Sequence, residues 1–418
     1  MRSLRSNPWW VVVVLWLVMI MSHVDRNILV ILMGPIQQEL ELSDTWMGFL
    51  TGPAFALFYT IAGIPLAILA DRASRKWIIA IGLALWSVCT VAQGWARNIW
   101  HFTLLRVLLG MGEATTGPSS HSIISDYFPP RTRASALSFF SMGGHMGMLL
   151  GLALGGYINE WVGWRSAFII VGIPGVLLAG VVLTGIREPE RGQSEQRSDE
   201  APPPFRETLR HLLGKRSFVH IALTMSLFVM TVYGMNVWVP QMLQRVHGLS
   251  IVEAGTRFGL VTGISGLLGT MFSGWLADRL SSRDPRWGLW LSALGGTAMI
   301  PFTLYFLFAD SASEGLAALF VGLFFTTFYM GPCFSLGQGL ATLRMRAQAS
   351  AILLFVINIV GSTLGPQAIG VLNDQLHASY GESAIRYSLL LLVATSVWAS
   401  IHALLGTRTL RADLERTG

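Results

Sequence analysis

Twelve apolar runs, each about as long as a bilayer is thick, follow one another along this chain. They cover residues 9–36, 45–70, 77–96, 100–126, 134–158, 166–186, 217–243, 252–277, 287–308, 314–342, 347–372 and 385–406. Crossing a hydrocarbon core of about 30 Å takes roughly 20 helical residues. Lipid offers backbone N–H and C=O groups no partner, so only helices or a closed barrel can span it. Barrel strands alternate apolar and polar residues, and these runs do not. The expected fold is therefore an all-α polytopic membrane protein with twelve transmembrane helices. Charged residues make up 12% of the chain, against about 25% in soluble domains.

Lysine and arginine set the orientation. Of the 29, 22 fall at the termini, in the central linker and in the connections on one side; five fall on the other side. The basic side is the cytoplasmic one, which places the chain in the cell (inner) membrane with both termini inside. The net charge of +6 is thereby explained without nucleic acid. The first run is too long and too charged for a cleavable signal peptide. Cys89 and Cys333 both sit in apolar runs, so neither a disulfide framework nor a metal site is expected. There is no P-loop, HExxH or CxxC pattern. No cofactor, metal or enzymatic activity is expected.

The remaining two basic residues, Arg26 and Arg106, lie inside apolar runs, as do Asp25 and Glu113. A charge at the centre of a bilayer costs at least roughly 2.5–3.5 kcal/mol, so such residues mark functional sites by default. Arg106, Gly110, Glu113, Gly117 and Ser120 are spaced to share one helix face. Each acid has an arginine on its own helix as its expected partner. The simplest alternative is a structural ion pair that only locks helices together. Arginine does not release a proton, so Asp25 and Glu113 are the candidate proton-coupling groups, with Arg26 and Arg106 as candidate ligands for an anion. His23, His121 and His145 are weaker relay candidates, since a lone membrane histidine more often bonds helix to helix. Runs seven to twelve carry no mid-depth charge. They offer Tyr233, Asn236, Trp238 and Tyr329 as candidate substrate contacts, and Gln338, Asn358 and Gln367 as further polar residues that line a cavity or bond helix to helix.

The polar, proline-containing segment 187–216 divides the chain into an N-terminal half, 1–186, and a C-terminal half, 217–418. Within it, Phe205, Leu209, Leu212 and Leu213 are spaced for a short amphipathic helix on the membrane face. The halves repeat. LADRASRK (69–76) follows the second run and GWLADRLSSR (274–283) follows the eighth; RTRASALSFF (131–140) opens the fifth and RMRAQASAILLF (344–355) the eleventh. Asp278 follows Asp71 by 207 residues, and Arg346 follows Arg133 by 213. Internal repeats of this kind belong to transporters built from two bundles around a midplane site.

These motifs resemble the major facilitator superfamily. Asp71-Arg72 with Ser74, Arg75 and Lys76, and Gly274 with Asp278, Arg279 and Arg283, look like its loop signature, although Ala67 stands where glycine is usual. They are read as latches at the cytoplasmic gate. Arg106-x3-Gly110-x-Gly112 resembles the fourth-helix motif. Gly147, Gly151 and Gly155-Gly156 resemble the fifth-helix antiporter motif, with Leu152 in place of its proline. Whatever the family, glycines spaced by four let a neighbouring helix approach closely. Val24-Asp25-Arg26, Gly112-Glu113-Ala114, residues 123–128 (IISDYF) and Glu188-Pro189-Glu190-Arg191-Gly192 are similar to the Spinster branch. That resemblance implies proton-linked movement of lysophospholipids or sphingoid phosphates. The anion–cation symporter branch shares the Asp-Arg pair and the Gly-Glu-Ala and carries hydrophilic organic anions.

The leading expectation is thus a proton-coupled secondary transporter working by alternating access on an amphiphilic substrate. Its partners would be protons, a small amphiphilic or anionic molecule and the bilayer, and the protein is expected to act as a monomer. The alternatives are a symporter of small hydrophilic organic anions and a passive facilitator or sensor whose charges are structural.

Overall fold

The structure, a computed structural model, describes residues 7–190 and 203–416; the side chains of Asp71, Pro130, Ala134 and Leu343 lie outside the described set. All regular structure among the described residues is helical. The chain forms two compact units, Met1–Ser198 with Leu249–Gly259, and Asp199–Gly248 with Leu260–Gly418.

The first unit runs through α1 (Pro8–Ile31), α2 (Met33–Leu40), α3 (Asp44–Thr51), α4 (Pro53–Arg72), α5 (Arg75–Gln93), α6 (Ile99–Glu113), α7 (Thr116–Tyr127) and α8 (Pro130–Gly185). Asn7 caps α1 by accepting from the Trp9 N–H at 3.0 Å, and Pro8 occupies the first turn, where no N–H is missed. At 56 residues, α8 would be about 84 Å long at 1.5 Å per residue, far beyond one bilayer. It breaks at Gly163, whose φ of 79° only glycine adopts freely, into the fifth and sixth expected spans.

The fourth expected span is not continuous. α6 ends at Glu113 and α7 starts at Thr116. Pro118 has no N–H, so the Ala114 carbonyl loses its helical partner, and the Thr115 hydroxyl donates to the Gly112 carbonyl at 2.8 Å. The expectation of a single unbroken face from Arg106 to Ser120 is corrected accordingly: the break falls directly after the glutamate. Counting α8 as two spans and α1–α2, α3–α4 and α6–α7 as one each, with α5, gives the six helices of an N-terminal bundle.

Glycines hold this unit close. A Cβ on Gly147 would lie 2.4 Å from the Ile20 carbonyl oxygen, and one on Gly151 2.9 Å from that of Val24. The neighbour that the glycine spacing foretold is α1, the helix that carries Asp25 and Arg26. At one edge of the unit Glu39 accepts from Arg165 Nε at 3.0 Å and Nη2 at 2.7 Å, and from Trp164 Nε1 at 2.6 Å. Arg165 Nη1 also donates to the Gly94 and Ala96 carbonyls. This clamp ties together the loops beside α2, α5 and the Gly163 break. Ile61, Ile64 and Ile68 of α4 and Ile81, Leu85 and Val88 of α5 form exposed apolar stripes at helical spacing, as lipid-facing surfaces require.

The second unit holds α9 (Phe205–Leu213), α10 (Arg216–Arg245), most of α11 (Ile251–Ser281), α12 (Trp287–Phe308), α13 (Ala312–Thr326), α14 (Met330–Gly339), α15 (Arg346–Ile357), α16 (Thr363–Tyr380), α17 (Ala384–Ser388) and α18 (Leu390–Glu415). α9 forms where the apolar spacing places it; Leu212 enters the core of this unit, while Phe205 and Leu213 stay exposed. α15 and α16 are joined by a π-helical turn, Asn358–Ser362, and α13 and α14 by a 3-10 turn, Thr327–Tyr329. Each such pair is one span with an irregular centre.

The glycine seam gives a direct stability test. Gly147→Ala forces a methyl into the α1 backbone and is expected to lower stability by about 1–3 kcal/mol, the usual range for overpacking. Gly63→Ala meets nothing within 4 Å and is expected to leave stability unchanged or raise it. Thermal unfolding of both variants in one detergent checks the contrast.

Candidate functional site

The intramembrane charges come together in the first unit, from three helices. α1 presents Ser22, Asp25 and Arg26; α6 ends on Glu113; α4 supplies Phe55 and Tyr59. Arg26 Nη2 lies 2.5 Å and Nε 2.6 Å from the same carboxylate oxygen, Glu113 Oε2. The Ser22 hydroxyl donates to that oxygen at 2.8 Å. The second oxygen, Oε1, has no hydrogen-bond partner among the described residues. The Glu113 carboxylate is sealed from the surface, whereas the Arg26 side chain keeps 20% of its area exposed.

Asp25 is 0% exposed, and neither of its carboxyl oxygens has a hydrogen-bond partner among the described residues. Thr90 and Trp86 of α5 are its polar neighbours. The Thr90 hydroxyl turns back to the Trp86 carbonyl at 3.1 Å, and the Trp86 indole N–H is itself unpartnered. Arg106, 1% exposed, donates from Nε to the Leu50 carbonyl at 3.2 Å and leaves Nη1 without a partner among the described residues.

The expected pairings are therefore corrected. Neither acid takes the arginine of its own helix. Adjacent residues point about 100° apart on a helix, so Asp25 and Arg26 face different neighbours. Arg106 and Glu113 are two turns apart, about 10 Å along the axis, and do not bond. The pair that forms crosses from α1 to α6. His23 bonds within its own helix, with Nδ1 3.1 Å from the Met19 carbonyl oxygen.

The other candidate ligands all lie in the second unit. Tyr233 is half-buried and the Asn236 side-chain oxygen is unpartnered among the described residues. Trp238 is buried, and its indole N–H donates to the Pro366 carbonyl at 2.9 Å. The Tyr329 ring stacks on Phe228 with centroids 4.8 Å apart. The structure thus uses Trp238 and Tyr329 in helix packing.

Of the candidate gating residues, Arg75 carries the most contacts. It donates from Nε to Glu188 Oε1 at 2.8 Å, from Nη1 to the Ser122 hydroxyl at 2.8 Å and to Asp126, and from Nη2 to the Pro189 carbonyl at 3.0 Å. Glu188 also accepts from the Ser74 hydroxyl and the Lys76 backbone N–H. Arg72, Asp278, Arg279 and Arg283 are exposed, with Arg279 5.8 Å from the Trp275 ring; the Asp71 side chain lies outside the described residues. Asp126 and Glu188, which complete the Arg75 latch, were quoted above only as family motifs. Their signal was an acid at the end of each of two spans on the basic side.

Burial opposes the Glu188 charge, but the Lys76 N–H, Arg75 and Ser74 outweigh it and hold the carboxyl below its ordinary 4.5. A depressed carboxyl stabilises the fold above its unfolded value, and the contribution is lost as pH falls through the folded one. Glu188→Gln is expected to cost about 1–3 kcal/mol at neutral pH, as hydrogen bonds to a charged group do. The gap from the parent protein should shrink as pH falls below 4.5, read by thermal unfolding across a pH series.

A family profile described as Major Facilitator Superfamily matches residues 15–366. An "MFS-type efflux pump" of Mycolicibacterium smegmatis is 34% identical over 93% of this chain and 91% of its own. A "probable galactarate/D-glucarate transporter" of Bacillus subtilis is 28% identical over 66% of each chain. A solved structure of a bacterial homologue of the human lysosomal transporter Spinster, inward-facing and unoccupied, superposes with a TM-score of 0.87 at 27% identity and covers 97% of this chain and 98% of its own. The Spinster resemblance read from the motifs thus extends to the whole fold. With multiple membrane-spanning helices, a repeated loop signature and a buried Arg26–Glu113 pair, this chain belongs to the major facilitator superfamily of transporters.

Proposed function

We propose that this protein is a proton-coupled secondary transporter working by alternating access on an amphiphile with an anionic head, a lysolipid or sphingolipid-like molecule. The observation that carries the reading is the engagement of two Arg26 donors by one oxygen of Glu113. A phosphate or carboxylate head group would take that same edge of the guanidinium. A proton on Glu113 removes the competitor, so proton and anion are expected to favour each other at Arg26. Asp25, with no hydrogen-bond partner among the described residues, is the second coupling group. In a state with a proton on Asp25 and none on Glu113, Arg26 and Arg106 would leave the site one positive charge in excess, which suits an anionic guest.

The amphiphile rests on the motif resemblance to the Spinster branch, and the likeness to the Spinster-type structure strengthens that resemblance. The mycobacterial relative, an efflux pump by name, supports transport without naming a substrate. The Bacillus relative, a probable transporter of sugar diacids, favours a second reading: a symporter of small hydrophilic organic anions, whose carboxylates would suit the same arginine. The arginine and lysine asymmetry supports residence in the cell (inner) membrane with both termini cytoplasmic.

Proteoliposomes carrying an internal pH dye separate these readings. Lysophosphatidylglycerol or sphingosine phosphate is expected to drive a proton flux that Glu113→Gln abolishes, while glucarate and galactarate drive none. Flux with the sugar acids alone would establish the second reading. Substrate movement without any proton flux would contradict coupling altogether.

A further inference from the structure

Arg26 touches more than a carboxylate. Phe55 and Tyr59, one turn apart on α4, stack with centroids 5.7 Å apart and planes inclined by 27°. The Arg26 guanidinium carbon lies 4.6 Å from the Phe55 centroid and 5.1 Å from that of Tyr59. Arg106 approaches the same Phe55 ring at 5.5 Å. Aromatic faces attract guanidinium groups through the ring quadrupole, most strongly away from water. Phe55 is 5% exposed, so this contact is largely desolvated.

The rings sit on a fixed base. Gly52 and Pro53 open α4, so Phe55 stands in the first turn of a helix whose start is set. A Cβ on Gly110 of α6 would lie 2.6 Å from the Phe55 carbonyl oxygen. The backbone carrying the rings therefore rests directly on the helix that ends at Glu113. Glu113 and the aromatic pair hold Arg26 in different ways. The hold of Glu113 depends on a proton, and the hold of an aromatic face does not.

We propose that Phe55 and Tyr59 are positioning residues that keep the Arg26 guanidinium in place when Glu113 is neutral, so that its freed donors meet an anionic head group already oriented. The proposal rests on the reading of Glu113 as a coupling group. An arginine released from its carboxylate would regain rotamer freedom, and the arriving anion would have to fix it again. A second carboxylate would hold the guanidinium as well but would compete with the substrate. An aromatic seat holds it while leaving the N–H edge open.

The test uses full-length protein in nanodiscs, with lysophosphatidylglycerol as the probe and equilibrium binding as the readout. Phe55→Leu and Phe55→Trp are compared in the parent and in the Glu113→Gln background. Glu113→Gln removes the charge of the carboxylate, so the aromatic seat carries a larger share of the hold on Arg26. Phe55→Leu is expected to weaken binding about five- to tenfold in that background, the loss of one desolvated cation–π contact. The loss is expected to be clearly smaller in the parent at neutral pH. Phe55→Trp is expected to restore binding in both. Tyr59→Leu, at a half-buried ring, should show the same contrast with less disturbance of the core. Equal losses in the two backgrounds, or none in either, overturn the seat and leave the coupling reading intact. If Glu113→Gln itself preserves the parent's pH dependence of binding, the coupling reading fails and the seat falls with it.

Discussion

Water is absent from the hydrocarbon core, so a charge placed there must be answered by another group or given up. In this chain Glu113 of α6 is answered by Arg26 of α1, across a contact of 2.5 Å. Much of the first unit is arranged so that this contact can form. The glycines at 147 and 151 draw α8 against the backbone of α1, and Gly110 draws α4 against α6. The helix then breaks at residues 114–115, which frees backbone geometry next to the carboxylate without exposing it. The same constraint leaves Asp25 as the exception: a carboxyl one residue from an arginine, buried, with no hydrogen-bond partner among the described residues.

Two further charge networks in the first unit sit at its rims and obey different physics. Arg75 on the basic side satisfies its donors with Glu188, Asp126, Ser122 and a backbone carbonyl. Glu39 and Arg165 do the same on the other side, half in solvent. These networks join neighbouring loops, and each carboxylate meets several donors at once. Among these carboxylates Glu113 is the one sealed from solvent, 0% exposed against 11% for Asp126, 29% for Glu188 and 49% for Glu39. A proton arriving at a rim network removes one of several supports; at the centre it removes the main polar partner of Arg26.

Much of this was legible in the sequence. The spans follow from hydropathy alone, because lipid admits few alternatives to a helix. The repeated Asp-Arg loops and the four-residue glycine spacing mark the two halves and the close helix contact. Asp25, Arg26, Arg106 and Glu113 stand out by depth. Their pairing was not legible, because neighbours on one helix are visible in sequence and neighbours across helices are not. Glu188 stood out only as part of a family motif, with no sign of its contact with Arg75 across 113 residues, and Glu39 and Arg165 are 126 residues apart. The break after Glu113 did carry a signal in Pro118, which the run of apolar and small residues masked. Trp238 stood among the polar candidates for substrate contact; its indole N–H donates to the Pro366 carbonyl, a contact between helices that sequence does not display.

The central claim is that the protonation of Glu113 and Asp25 governs the conformation of the transporter. Pulsed electron-spin distance measurements between labels on the two halves, taken on each membrane face across a pH series, test it most directly. The parent protein should shift its distance distribution with pH. Asp25→Asn and Glu113→Gln should each weaken or abolish that shift, and the double variant should add less than the sum, because the charges act as one network. If both single variants keep the parent's pH response, the carboxylates are structural and the account is wrong.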